Sequence, residues 1–101
     1  MSLFDLTALA AGLPQAWRSS ILGRVGSANI KVLRMDQRAI DDEVHEYHEA
    51  LLVIEGQLRL AVQGEEITVS AGQLYQAAAG VPHRVLAGSH GTLVIVDLPE
   101  D

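Results

Sequence analysis

Short apolar runs separated by glycine-containing turns recur along the chain. In the segment 57–62, Leu58, Leu60 and Val62 alternate with other residues. After the Gln63-Gly64-Glu65 turn, the segment 66–69 is the predicted return strand. This is the pattern of a β-hairpin with one buried face. Further strands are predicted at 17–22, 28–35, 50–54, 73–78, 83–86 and 92–98. Short strands with turn signals about every 8–12 residues predict an all-β sandwich or barrel.

The N-terminal residues and the glycines complete this prediction. Leucines lie at near-helical spacing at positions 3, 6 and 9, with Ser2 or Asp5 as a candidate cap and Gly12-Leu13-Pro14 as a stop. They predict one short helix packed on the outside of the sheet. The remaining glycines predict turns at Gly23 and Gly26, a strand end at Glu55-Gly56, and a loop over 88–91.

Length and composition favour a single domain spanning residues 1–101, with one core. Cysteine is absent, which excludes disulfides and thiolate metal ligands and fits a reducing compartment. The first residues carry no basic segment, and no apolar run approaches the roughly 20 residues that cross a bilayer. We therefore expect a cytoplasmic protein with no membrane partner.

The distribution of charge argues against nucleic acid as a partner and identifies an acidic segment that could hold a cation. The net charge is −6, and the seven lysines and arginines are scattered singly, which argues against binding to nucleic acid. Acidic residues, in contrast, are concentrated between positions 41 and 49, where they either lie on a solvated loop or hold a cation. They are Asp41, Asp42, Glu43, Glu46 and Glu49.

His45 lies inside this acidic segment, and its presence favours the second alternative, in which the segment holds a cation. In an extended chain Glu43, His45 and Glu49 point to one side, and together they offer hard-to-borderline donors for a divalent metal. On a straight strand His45 and Glu49 would be about 13 Å apart, too far to share an ion. We therefore predict a turn over 46–48, after which the chain re-enters as a buried strand.

Two motifs in this region resemble those of the cupin superfamily. The first family motif is His-x-His, three or four residues, Glu, six residues and Gly; here Glu43-Val44-His45, Glu49 and Gly56 keep the spacing, with Glu43 replacing the first histidine. The second is Gly, five residues, Pro-x-Gly, two residues, His, three residues and Asn. It maps to Gly72, Ala78, Gly80, His83 and Ala87, where the glycines and the histidine match but the proline and the asparagine do not.

The resemblance implies a jelly-roll-like conical β-barrel that holds a divalent metal. It would make His45, Glu49 and His83 ligands and would place Glu43 in the remaining ligand position. His45, His83 and Glu49 alone would suit non-heme Fe(II), whereas ligation by Glu43 as well leaves Fe, Mn, Ni and Zn open. In the alternative, Glu43 hydrogen-bonds an arginine and no metal binds.

The family includes dioxygenases, isomerases, decarboxylases, sugar-binding sensors and proteins of no known activity. Three functions follow as hypotheses: a metal-dependent enzyme acting on a small polar metabolite, a ligand-binding module without turnover, and a structural barrel without a metal. We also predict a homodimer, because open sheets leave strand edges to be covered and the segment 17–22 is apolar enough to cover one.

The remaining histidines and the aromatic side chains also receive predictions. His48 faces away from Glu49 and is predicted on the surface or at a subunit contact, and His90 is predicted to be solvated. Tyr47 and Tyr75 are either donors beside the metal or packing residues. Trp17 is predicted to fill the core. The pocket is expected to be lined by Met35, Tyr47, Leu51, Tyr75 and Val85.

Overall fold

The computed structural model describes residues 2–99, most of which lie in strands. Asp5 caps the first helix by accepting a hydrogen bond from the backbone N–H of Ala8 at 3.2 Å. The predicted all-β fold with a short N-terminal helix is confirmed. The elements are α1 (Leu6–Ala11), β1 (Ser20–Val25), β2 (Ala28–Asp36), β3 (Ile40–Glu43), β4 (Glu49–Val62), β5 (Glu65–Ser70), β6 (Leu74–Ala77), β7 (His83–Val85) and β8 (His90–Asp97).

The long strand β4 is shared by the two halves of one curled antiparallel sheet. Its first half lies between β8 and β6, and its second half lies between β7 and β5. Outside these neighbours, β8 pairs with β2 and β2 with β1, whereas β7 pairs with β3. The sheet thereby curls into an open half-barrel, with β1 and β3 at the two ends of the main path.

A glycine pair forms the corner at which β4 passes from one half to the other. Gly56 and Gly91 are cross-strand partners with φ angles of +82° and +101°. A Cβ atom on Gly56 would collide with the backbone carbonyl of His90, and one on Gly91 with that of Glu55. The prediction that Glu55-Gly56 ends the strand is therefore wrong, because Gly56 continues the ladder through a bend that only glycine fits.

Core side chains lie on both faces of the first half of the sheet. The inner cluster fills the half-barrel, and the predicted core residues of the segment 57–62 all belong to it. The outer cluster lies under α1, where Ala10 packs with Val32 and Val94. The buried members of the inner cluster are Leu33, Met35, Leu51, Val53, Leu58, Leu60, Val62, Val69, Leu93 and Ile95.

Several element boundaries differ from the predictions. The first strand begins at Ser20, because Trp17 has a left-handed backbone with φ of 66°. Gly23 lies inside that strand, at a break in its register with β2. The predicted loop over 88–91 is shorter, since His90 and Gly91 already pair with β2 and β4. The strand β3 was not predicted at all.

The helical content of residues 2–99 is confined to α1. Within these residues there is no helix with both the length and the apolar character needed to cross a bilayer.

Candidate metal centre

Backbone pairing and one turn bring the predicted donors together. Glu43 ends β3 directly opposite His83, the first residue of β7, and Glu49 begins β4. Between them the chain bends at residues 46 and 47, so the predicted turn is confirmed. The His45 carbonyl accepts a hydrogen bond from the Gly80 N–H at 2.7 Å, which ties this turn to the loop that precedes His83.

The four side chains form one cluster. The Nε2 atom of His45 lies 3.7 Å from Glu43 Oε2 and 3.8 Å from Glu49 Oε2. The Nε2 atom of His83 lies 3.8 Å from Glu43 Oε2 and 3.6 Å from Glu49 Oε1. Each imidazole therefore faces both carboxylates, and the carboxylate of Glu43 faces histidines rather than an arginine.

Burial differs across the cluster. The side chains of Glu49 and His83 are 8% and 6% exposed, whereas that of Glu43 is 50% exposed. The neighbouring Glu49 carboxylate raises the pKa of His83; burial opposes this shift, and Glu43 and the Val81 backbone add to it. The centre thus has a buried His83–Glu49 pair on one side and a solvent-accessible carboxylate on the other.

The donor set fits a divalent metal. One ligand atom from each of Glu43, His45, Glu49 and His83 can be chosen so that all four lie within 4.8 Å of one another. Opposed ligands held at about 2.0–2.2 Å from an ion lie about 4 Å apart, so small side-chain rotations would close the cluster on one. Two imidazoles and two carboxylates suit first-row divalent metals.

The other histidines lie outside the cluster. His48 accepts a hydrogen bond at Nδ1 from the Ala79 N–H at 2.9 Å, so its ring joins the loops 44–48 and 78–80. His90 is exposed, as predicted, with Nδ1 3.1 Å from the Gly88 carbonyl oxygen. Neither ring offers a ligand atom to the four-residue centre.

The two tyrosines have different surroundings. Tyr47 stacks on the imidazole of His45, with ring centroids 5.2 Å apart and planes 18° apart. Tyr75 pairs with Leu51 across the sheet and packs against the inner core. Tyr47 is therefore the tyrosine that contacts the four-residue cluster, through the ring face of His45.

An inner cavity lies inside the half-barrel against the four-residue cluster. It holds about 480 Å³ of empty space, part of it open to solvent. Glu43, Glu49 and His83 form its polar wall. Of the predicted pocket residues, Leu51 and Val85 line it. The remainder of its lining is Trp17, Leu33, Ile40, Leu58, Leu60, Leu93 and Ile95.

An outer, polar cavity meets the same centre from the other side. It spans about 680 Å³ of empty space, part of it open solvent, and is lined by Glu43, His45, Tyr47 and Glu49 together with a charged pair on β2 and β8. That pair is Lys31 and Asp97, whose Nζ and Oδ2 atoms lie 2.5 Å apart. Sequence reasoning missed this pair, since its members are far apart in the chain.

Trp17 lines both cavities and packs against the inner core. Its indole N–H donates a 2.6 Å hydrogen bond to Asp36, and its backbone N–H donates one to the Arg34 carbonyl. Burial opposes ionisation of Asp36, yet the donors from Trp17 and Arg38 hold its pKa below the usual value. Trp17 thus packs against the core, as predicted, but it is only partly buried and also lines the space that a ligand could occupy.

The fold and the cluster define a class of protein, a small open β-barrel with a histidine and glutamate cluster in its wall. The family model described as a cupin domain matches residues 32–99. The chain belongs to the cupin family. A search of curated protein sequences finds no match to this chain.

Solved structures share the fold at low sequence identity. A cupin-2 domain protein from Shewanella frigidimarina is 20% identical, with a TM-score of 0.88 over 97% of this chain and 96% of that one. The hydroquinone 1,2-dioxygenase from Sphingomonas sp. TTNP3, solved with 4-hydroxybenzoate bound, is 11% identical, with a TM-score of 0.84 over 99% of this chain and 75% of that one. These likenesses establish the fold of this chain.

Proposed function

We propose that this cupin binds a divalent transition metal through Glu43, His45, Glu49 and His83 and takes a small molecule into its half-barrel. The observation that carries the proposal is the convergence of four ligand atoms within 4.8 Å in the wall of a cavity. Two carboxylates held this close, that of Glu49 nearly buried, are stabilised by a neighbouring positive charge, and a divalent metal supplies one.

Each residue has a distinct part in this proposal. Glu49 and His83 form the buried half of the site, and His45 faces both carboxylates from the turn after β3. Glu43 completes the set from the solvent side. A bound metal would polarise an oxygen donor of the ligand as a Lewis acid.

The small-molecule part of the proposal is supported by the inner cavity and by its relatives in fold. The Sphingomonas dioxygenase contains 4-hydroxybenzoate, and a second hydroquinone 1,2-dioxygenase contains Cd²⁺ and 4-hydroxybenzonitrile. Their ligands are single-ring compounds. Whether this chain only binds such a molecule or also turns it over is decided by assaying the metal-loaded protein with single-ring candidates.

One observation favours the metal-free alternative. Glu49 raises the pKa of His83, so a protonated His83 could balance the buried carboxylate without an ion. In that case the chain is a ligand-binding or structural cupin whose centre is an ion-pair network. Metal analysis separates the two functions.

The test is the metal content of protein purified without a histidine tag and without chelators. We expect about one divalent ion per chain in the wild type and its loss in His83→Ala and Glu49→Gln, because each removes a donor from the buried half. His48→Ala and His90→Ala should keep the ion, since neither ring reaches the centre. Circular dichroism of every variant verifies folding.

Two results would exclude the proposal. One is wild-type protein that stays metal-free after exposure to Zn²⁺, Mn²⁺, Ni²⁺ and anaerobic Fe²⁺. The other is loss of metal in His48→Ala together with retention in His83→Ala, which would place the site elsewhere.

The assembly and the cellular location also belong to the proposal. We infer a homodimer formed through the edge of β1, which within residues 2–99 pairs with β2 alone and exposes Ile21 and Val25. We place the protein in the cytoplasm, a reducing compartment that suits a chain without cysteine.

A further inference from the structure

The inner cavity joins an apolar wall to a pair of carboxylates. Nine of its twelve lining residues are apolar, and the other three are Glu43, Glu49 and His83. Lysine, arginine, amide and hydroxyl side chains do not contribute to this lining within residues 2–99. A ligand in this cavity therefore meets polar partners only at the metal centre.

The charges at that centre balance when a divalent ion is bound. The two carboxylates cancel the charge of the ion, and the imidazoles that bind it are neutral. An anionic ligand would then lie against two carboxylates with no residual positive charge to attract it. Because the surrounding wall is apolar, such an anion would also lose its hydration without replacement.

The cation next to this site is already paired. Lys31 lines the outer cavity, and its ammonium group lies 2.5 Å from Asp97. Asp97 is nearly buried and also accepts a hydrogen bond from Asn29 at 3.4 Å. Lys31 is thus held in a local pair and does not offset a negative charge in the inner cavity.

We propose that the metal-loaded site selects neutral ligands with an apolar body and one oxygen donor, such as alcohols, phenols or carbonyl compounds, over carboxylates of the same shape. This inference rests on the proposed metal function and names its ligand class. The apolar body of such a ligand would contact the apolar wall, which includes Leu33, Leu51 and Ile95. Glu43 determines the preference, because its carboxylate is the second negative charge at the ion.

Benzyl alcohol and benzoate test the proposal directly, because they share a ring and differ in the charge of the oxygen group. Binding to the Zn²⁺-loaded protein is measured by calorimetry and by the fluorescence of Trp17, the lone tryptophan, which lines the cavity. We expect benzyl alcohol to bind the wild type about tenfold or more tightly than benzoate. In Glu43→His and Glu43→Gln, which make the centre more positive by one charge, benzoate should gain affinity by about the same factor.

Glu46→Gln is the matched control. Glu46 is exposed on the same turn and lies outside the four-residue centre, so this variant makes the same change in net charge away from the ion. It should bind both probes as the wild type does. The metal content of each protein is determined alongside the binding.

The outcomes separate this inference from the function on which it rests. Wild-type protein that takes up no metal would overturn both. Metal-loaded wild type that binds benzoate as tightly as benzyl alcohol, or binds neither, would overturn the ligand preference alone. An equal gain for benzoate in Glu46→Gln and Glu43→Gln would also overturn it, by showing a long-range charge effect.

Discussion

Histidine ionisation would set how the proposed metal site responds to pH. An imidazole must be neutral to bind a metal, so protons and a bound ion would compete for His83. The adjacent Glu49 carboxylate raises the pKa of His83. Protons would therefore begin to displace a bound ion at a higher pH than they would from an ordinary histidine.

We expect the apparent metal affinity to fall steadily as the pH is lowered from about 8 to about 5. The decline should begin above the ordinary histidine pKa of about 6.5, because the folded protein holds the proton on His83 more tightly. Competition with a chromophoric chelator at each pH measures the affinity. His90→Ala should give the same profile, whereas an affinity that stays constant over this range would show that histidines do not bind the ion.

The donor residues of the centre could be predicted from sequence because local rules place three of them. Alternation puts Glu43, His45 and Glu49 on one side, and the distance limit requires the bend that the structure contains. His83 was predicted from the spacing of the second family motif. Lys31 and Asp97 could not be predicted in this way, since they meet only through the pairing of β2 with β8.

The corner at Gly56 lets β4 run as one continuous strand through both halves of the sheet. Gly56 and Gly91 approach so closely that neither can carry a side chain. Gly64, in the turn between β4 and β5, has a similar φ of +81°, but a Cβ atom there would meet open space. Alanine substitutions at Gly56 and Gly64 therefore distinguish the cost of collision from the cost of backbone strain alone.

We expect Gly56→Ala to lower the free energy of unfolding by more than about 3 kcal/mol, because strain and collision add. Gly64→Ala should cost about 1–2 kcal/mol, from the left-handed backbone alone. Urea denaturation of both variants measures the difference. Equal losses in the two variants would mean that the corner relaxes around the new methyl group.

Element type was more predictable than element length. Alternation identified β2, β5 and the second half of β4, and an apolar run identified the first half of β4. A glycine that usually ends a strand is here the corner of one. The strand β3 has a single apolar residue, Ile40, followed by acids, so it carries no alternation to detect. It forms because β7 offers it an edge to pair with.

Apolar side chains at the sheet edges bear on the assembly of the whole molecule. Ile21 and Val25 on β1 are 53% and 69% exposed, and no other strand of the described residues pairs with the outer edge of β1. Unpaired edges with apolar side chains favour association with a second copy. The strand β6, which exposes Leu74, offers a comparison surface on a different edge.

We expect a dimer in sedimentation velocity at micromolar concentration and a shift toward monomer in Ile21→Lys with Val25→Lys, since charges on an edge strand oppose pairing. Leu74→Lys should leave the dimer intact. A wild type that sediments as a monomer would contradict the assembly, and dissociation by Leu74→Lys would move the interface to β6.

The central claim is that four side chains, two imidazoles and two carboxylates, hold one metal ion in the wall of the half-barrel. The most direct measurement is a crystal structure of the metal-loaded protein with anomalous data collected at the absorption edge of the bound metal. The account predicts one strong anomalous peak at about 2.0–2.2 Å from His45 Nε2, His83 Nε2 and an oxygen each of Glu43 and Glu49. A fully loaded crystal with its peak elsewhere, or a peak that His83 and Glu49 do not contact, would contradict it.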